Sequence, residues 1–190
     1  MVARTGGPKG SVMLEIVYYA AASLDGFIAT PDGGVDWLPP IEAGGEDYGY
    51  YDFYGSVDAV LLGSGTYEKI QQNAAWPYAG KPCWVFTRQR RYAKSSKADI
   101  TFTGAPPERI AEEIAGQGLK RAWIVGGGKL AASFRERGLI TTYGIGLVPA
   151  IVGAGVPLLE ARGPLDRLTL TGCQAYPDGV VMLWYRRAMS

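Results

Sequence analysis

The chain has no histidine among its 190 residues. That excludes histidine-based catalytic triads, histidine metal ligands and the zinc signature of the nucleobase deaminases. Cysteine is almost as scarce. Cys83 and Cys173 stand far apart, with no CxxC spacing, so they cannot build a structural zinc site. Sparse cysteine suits a reducing compartment, and a cytoplasmic location is expected. Net charge is equally small, at +1, and gives no electrostatic case for nucleic acid as a partner. No apolar run is long enough to span a bilayer, so no membrane segment is expected. No segment repeats at a fixed period.

What is present suits a packed domain. The hydrophobic share is 47% and the charged share 19%, values of a globular chain rather than a disordered one. Residues 1–12 are rich in glycine and basic residues and read as a flexible leader, with one domain expected over 13–190. Leu14 to Ala22 reads as a strand. Pro31-Asp32-Gly33-Gly34 reads as a turn, and Asp47 to Tyr54 as a short aromatic helix. Asp58 to Gly63 and Pro82 to Thr87 are apolar runs of the kind buried on both faces of a sheet. Thr66 to Gln72, the segment after Pro106 and Pro107, and Lys129 to Arg137 read as helices. Asp99 to Thr103, Arg121 to Val125 and Thr142 to Val152 read as strands. Tyr176-Pro177-Asp178-Gly179 predicts a hairpin between Leu165 to Ala175 and Val180 to Arg187. Alternating strands and helices predict an α/β fold: a mostly parallel central sheet, helices on both faces, and an antiparallel C-terminal hairpin.

The segment Gly126-Gly127-Gly128-Lys129-Leu130-Ala131 follows a predicted strand and opens a predicted helix. Glycine lets a backbone approach a ligand closely, and the free N–H groups of a helix start attract phosphate. Gly126, Gly128 and Ala131 fit GxGxxA, the dinucleotide fingerprint. The turn lies late in the chain, however, and no acid follows on the next strand to hold a ribose. Leu130 stands where a P-loop needs Ser or Thr. A plain tight turn is the competing reading.

Five short motifs occur in order: Ser23-Leu24-Asp25-Gly26-Phe27-Ile28-Ala29 with Val35-Asp36-Trp37; Asp58 to Gly63 with Thr66-Tyr67-Glu68; Val125-Gly126-Gly127-Gly128; Val148-Pro149; and Val152 to Leu158. Together they resemble the dihydrofolate-reductase-like family. The closest likeness is to the reductase domain of the riboflavin-biosynthesis deaminase–reductases and its stand-alone relatives. The resemblance implies a three-layer fold and an NADPH-dependent oxidoreductase similar to 5-amino-6-ribosylaminouracil reductases. It implies that Ala21 and Ile28 line a nicotinamide pocket. Gly63, Ser64, Gly65 and Thr66 would start a helix against the cofactor phosphates. Thr87 and Arg88 would hold the adenosine side, helped by Arg90 and Arg91. Val125, Gly126, Gly127, Gly128, Lys129 and Leu130 would cradle the pyrophosphate, in a turn that admits a cis Gly126–Gly127 peptide. Relatives of this type are commonly dimeric, which implies a homodimer. Ser64 departs from the family, which often carries a basic residue there, and so leaves NADH open beside NADPH. No deaminase half is expected, which would leave the reductive step alone.

Asp25, Trp37, Asp47 and Tyr51 are the candidate substrate ligands, with Asp47 also the candidate proton donor. Each has a plainer alternative. Asp25 could serve its own turn, Trp37 could anchor a loop, and Asp47 could cap a helix. Tyr48, Tyr50, Tyr51, Phe53 and Tyr54 could wall a pocket for a planar heterocycle or pack a dimer. The expected activity is hydride transfer to a small ribosylaminopyrimidine or pterin-like substrate. A true dihydrofolate reductase and a non-catalytic nucleotide-binding module are the rivals.

Overall fold

The computed structural model describes residues 13–40, 46–72, 75–89, 99–160 and 163–188. The 1–12 leader, Arg90 and Arg91 lie outside them. Glu15–Ser23 forms β1, an inner strand of an eight-stranded sheet. Its side chains alternate between two cores, as a period of two requires. Ile16 and Tyr18 enter one core, and Val17 and Tyr19 the other.

The remaining elements follow in chain order: β2 (Phe27–Ala29), α1 (Tyr50–Gly55), β3 (Ala59–Gly63), α2 (Ser64–Ile70), β4 (Cys83–Phe86), β5 (Ile100–Thr103), α3 (Pro107–Gly116), β6 (Arg121–Gly126), α4 (Gly128–Glu136), β7 (Thr142–Val148), β8 (Val156–Pro157), β9 (Leu168–Ala175) and β10 (Val181–Arg187). The sheet order is β5-β4-β3-β6-β1-β7-β10-β9. All pairings from β5 to β7 are parallel, and β10 then pairs antiparallel with both β7 and β9. Ile110 and Ile114 of α3 and Leu130, Ala131 and Phe134 of α4 pack on one face. Phe53 of α1 and Tyr67 of α2 pack on the other. The α/β, three-layer, dihydrofolate-reductase-like architecture expected from the sequence is the one observed.

Three local differences have physical causes. The stretch predicted as strand to Val152 stops at Val148, because Pro149 has no N–H for the ladder. The aromatic helix starts at Tyr50 rather than Asp47, since Tyr48 and Gly49 both take left-handed backbone angles. Strands β2 and β8 were not read from the sequence. They are three and two residues long, too short for any periodicity, and pair only with each other.

Candidate functional site

Two hollows open along the carboxyl edge of the parallel strands, the edge at which open α/β sheets take ligands. The larger is a groove of about 810 Å3. Its floor is the ends of β3, β4, β5 and β6, represented by Gly63, Phe86, Thr103 and Gly127. The starts of α2, α3 and α4 all open on it, through Ser64 to Thr66, Pro106 and Pro107, and Gly128 to Leu130. Helix starts carry unpaired N–H groups and the positive end of the helix dipole, although at α3 the lining residues Pro106 and Pro107 have no N–H to offer. Among the described lining residues the cations are Arg88, Lys129 and Arg137, and the one carboxylate is Glu160. Lys129 pairs with Glu160 at 3.9 Å, and Arg137 with Glu108 at 2.7 Å.

The glycine turn owes its shape to two different needs. Gly127 turns the chain with φ +91°, a region where a Cβ is disfavoured. Gly128 sits so close to the β8 segment that a Cβ there would stand 2.3 Å from the Pro157 carbonyl oxygen. The Gly126–Gly127 peptide is trans, as are all described peptides, so the cis bond implied by the resemblance is corrected. The turn is made by the positive φ of Gly127 instead. The Thr66 hydroxyl lies 3.6 Å and 3.7 Å from where Cβ atoms of Gly126 and Gly127 would be. The segments 63–66 and 126–128, far apart in sequence, therefore form one wall. A hydrogen bond from the Tyr18 hydroxyl to the Leu158 carbonyl, at 2.7 Å, holds the segment after β8 against the sheet.

The smaller hollow, about 100 Å3, lies at the ends of β1 and β7 and the beginning of β10. Tyr19, Ala20 and Ala21 meet Gly146, Val148, Val180 and Met182 there, with Leu38, Pro39, Asp47, Tyr48 and Tyr50 opposite. Tyr19 is fixed from behind by a stacked Phe53 ring at 4.1 Å and by Trp184 at 5.6 Å. Trp123 donates its indole N–H to the Tyr19 carbonyl at 2.9 Å. Gly144 makes this packing possible, since a Cβ on it would come within 2.6 Å of Trp184 and 2.8 Å of Tyr19. Burial raises the Tyr19 phenol pKa, with Tyr176, Asp47 and Tyr50 adding to the rise.

Asp47 shapes the opposite wall. One of its carboxylate oxygens accepts the Gly49 N–H at 3.0 Å, and the other accepts the Tyr51 N–H at 3.2 Å. Between them Tyr48 adopts φ 54°, the one non-glycine residue with positive φ among those described. Such strain persists where surrounding contacts impose it. Here the Tyr48 hydroxyl donates to Asp178 at 2.5 Å, and its ring meets Tyr176 edge-on at 5.1 Å. The Asp178 bond pushes the Tyr48 phenol up to about 12 and holds the Asp178 carboxyl below its usual range. The β9–β10 turn is thus clasped to the pocket wall.

The sequence-derived residues divide between these hollows. Gly63, Ser64, Gly65, Thr66, Thr87, Arg88, Gly127, Gly128, Lys129 and Leu130 line the groove. Ala21 and Asp47 line the pocket. Gly126 backs the groove wall, while Val125 packs into the core beside α1 and α2. Ile28, on β2, lines neither hollow. Asp25 receives the Ser23 hydroxyl at 2.6 Å and the N–H groups of Val152 and Gly153 at 3.1 Å and 2.7 Å. Its carboxylate locks a loop and is absent from the pocket wall. Trp37 precedes the lining residues Leu38 and Pro39, and its buried indole N–H has no partner among the described residues. Tyr51 is 55% exposed, and Tyr50 takes the place on the wall. Sequence reasoning missed Tyr19, Val180 and Met182 as lining residues, and Arg137 and Glu160 in the groove. None belongs to a motif; they converge only through strand pairing and helix packing.

Comparison with known proteins agrees with this architecture. The RibD C-terminal domain family matches residues 15–182. The uncharacterised Bacillus subtilis (strain 168) protein YwjB is 33% identical over 173 residues, 90% of this chain and 98% of that protein. A putative riboflavin biosynthesis protein of Shewanella sp. PV-4 superposes with TM-score 0.83 at 23% identity, covering 93% of this chain and 100% of that one. A Thermotoga maritima diaminohydroxyphosphoribosylaminopyrimidine deaminase/5-amino-6-(5-phosphoribosylamino)uracil reductase gives 0.72 at 14% identity, covering 93% of this chain and 57% of that one. Dihydrofolate reductase from Enterococcus faecalis, complexed with NADP(H), gives 0.64 at 13% identity, covering 91% and 96%. With most of its length matched, this chain belongs to the RibD C-terminal domain family.

Proposed function

We propose that the protein is an NADPH-dependent reductase that transfers a hydride to a small heterocycle. The observation that carries this reading is the groove of about 810 Å3, onto which the start of α4 opens beside Arg88 and Lys129. A dinucleotide needs such an extended anion site, and a close backbone approach at a glycine turn supplies it. Gly127 fits that need, since its φ of +91° makes the turn and a Cβ there would meet nothing closer than 3.7 Å. Gly127 to Leu130 would face the pyrophosphate, and Ser64 and Thr66 would offer hydroxyls. Arg88 and Thr87 would hold the adenosine end, with Arg88 on a 2′-phosphate. The nicotinamide would lie toward Ala21, where groove and pocket share the sheet edge. Bound there, the cofactor supplies the hydride. The protein positions the substrate between Tyr19, Tyr50 and Met182, and water or Asp47 delivers the proton. Titration with NADPH and NADH, followed by cofactor oxidation with a panel of pyrimidines and pterins, tests the reading. Lack of NADPH binding would overturn it, and binding without turnover on any compound would favour a nucleotide-binding module.

The same reading extends to assembly as a homodimer with twofold symmetry. Strand β9 lies at the sheet edge with Leu168 and Leu170 41% and 51% exposed, and Leu165 beside it is 82% exposed. An exposed apolar edge of this kind favours a second strand or a covering chain. Light scattering at micromolar concentration should give twice the chain mass of 20.4 kDa. A monomer mass would contradict it. Among the described residues no helix is long and apolar enough to cross a membrane.

A further inference from the structure

We infer that the substrate taken by the smaller pocket is a single flat ring, neutral or cationic, that carries no phosphate. This rests on the reductase reading and narrows its substrate. It departs from the phosphoribosyl compound named for the Thermotoga maritima relative. Three independent observations lead to it.

The first is charge. Among the described lining residues of the pocket, Asp47 is the one charged group. Glu46 and Asp178 stand close to Tyr48 at the same rim. No Lys, Arg or His is among the described lining residues, and none occurs between Lys9 and Lys69; the cations packed on α1, Lys81 over the Tyr54 ring at 4.6 Å and Arg121 over the Phe53 ring at 5.5 Å, are not lining residues. Acids recur in that stretch of sequence, among them Glu46, Asp47 and Asp52. A cleft lined by one sign of charge concentrates ligands of the other sign and repels its own. The second observation is the helix start at this wall. The N–H groups of Gly49 and Tyr51 at the opening of α1 are already given to the Asp47 carboxylate. They cannot serve a phosphate as the start of α4 would in the groove. The third is shape and surface. The pocket volume of about 100 Å3 is of the order of a cavity that admits one benzene ring. Its walls present Tyr19, Tyr48 and Tyr50, whose faces attract flat rings and cations. The groove holds Arg88, Lys129 and Arg137, so the protein places its cations where a dinucleotide lies and withholds them from the substrate.

The test uses the full chain with saturating NADPH, which occupies the groove, and reads binding by calorimetry at pH 7. Three single-ring probes of similar size span the charge states: 4-aminopyridine as cation, uracil as neutral ring and orotate, which is uracil with a carboxylate, as anion. Uridine and uridine 5′-monophosphate isolate the phosphate. The expected order is 4-aminopyridine, then uracil, then orotate. The nucleotide should bind at least tenfold more weakly than the nucleoside. Glu46→Lys, at an exposed position, should shrink that penalty at least threefold without altering NADPH affinity. A nucleotide that binds as tightly as the nucleoside, or orotate ahead of 4-aminopyridine, would overturn the inference while leaving the reductase reading intact. So would failure of both 4-aminopyridine and uracil to bind at millimolar concentration. Absence of NADPH binding would instead overturn the reductase reading, and the pocket's role as a substrate site with it.

Discussion

The groove and the pocket share one sheet edge but are made from different material. The groove is largely backbone: helix starts, glycines and strand ends, with cations added at its margins. The pocket is side chain: a Tyr19 floor stacked on Phe53, aliphatic residues from β7 and β10, and a tyrosine wall. A backbone site can be recognised from short motifs, because glycine and helix-start chemistry are local. A side-chain site depends on which strands become neighbours, and its residues come from several distant segments.

Breaking the pocket from behind should have the largest effect. Phe53→Ala removes the ring on which Tyr19 rests, at a position only 5% exposed. The loss should be about 3–5 kcal/mol of stability, read from urea unfolding. NADPH affinity of the folded fraction should be unchanged, since Phe53 is not a groove residue; a parallel loss would mean the two hollows are coupled.

The next effect belongs to the groove's cations. Arg88→Ala should weaken NADPH by about 1.5–3 kcal/mol, the worth of a charge-assisted hydrogen bond, and leave NADH nearly unchanged. Binding constants for both cofactors in wild type and variant decide it. Equal losses would place Arg88 on a part of the molecule that the two share.

Gly127→Val tests the backbone character of the groove. It puts a β-branched residue at φ +91°. Nucleotide affinity should fall at least tenfold, about 1.4 kcal/mol. Calorimetry on a variant shown to be folded by circular dichroism is the measurement, and unchanged affinity would remove this turn from the site.

The smallest effect concerns the loop that joins the two regions. Asp25 ties the end of β1, beside the pocket, to Val152 and Gly153, which lead into the groove's β8 wall. The Ser23 hydroxyl first, then those two N–H groups, hold its carboxyl below the ordinary range. A lowered folded-state value means the stabilisation is present above the unfolded carboxylate range and fades as pH falls through the folded value. Asp25→Asn should therefore reduce stability near neutrality slightly and flatten the acid limb of the urea midpoint against pH. An unaltered acid limb would show that the lock contributes nothing measurable.

The same division marks what could be read before folding. The buried strands β3 and β4, the helices starting at Pro107 and Gly128, and the final hairpin were legible, because apolar runs, Pro and Gly signals and turn chemistry are properties of neighbours in sequence. The groove residues from Gly127 to Leu130 were legible for the same reason, while those from Gly63 to Thr66 followed from the family resemblance. Asp25 and Tyr51 were drawn into the substrate site by the company they keep in the chain. The fold gives the first to a loop and turns the second outward. Tyr19 and Met182 gave no signal, since an aromatic or aliphatic residue on a buried strand looks like any other core residue.

The sequence by itself determined the α/β class, the glycine-lined helix start and the small net charge, because each follows from local backbone preference or from composition. Only the tertiary structure decided that β1 lies between β6 and β7, so that Ala21 and Asp47 share one hollow while Arg88 and Gly128 share another. Strand order is fixed by packing between residues a hundred positions apart, and no local pattern records it.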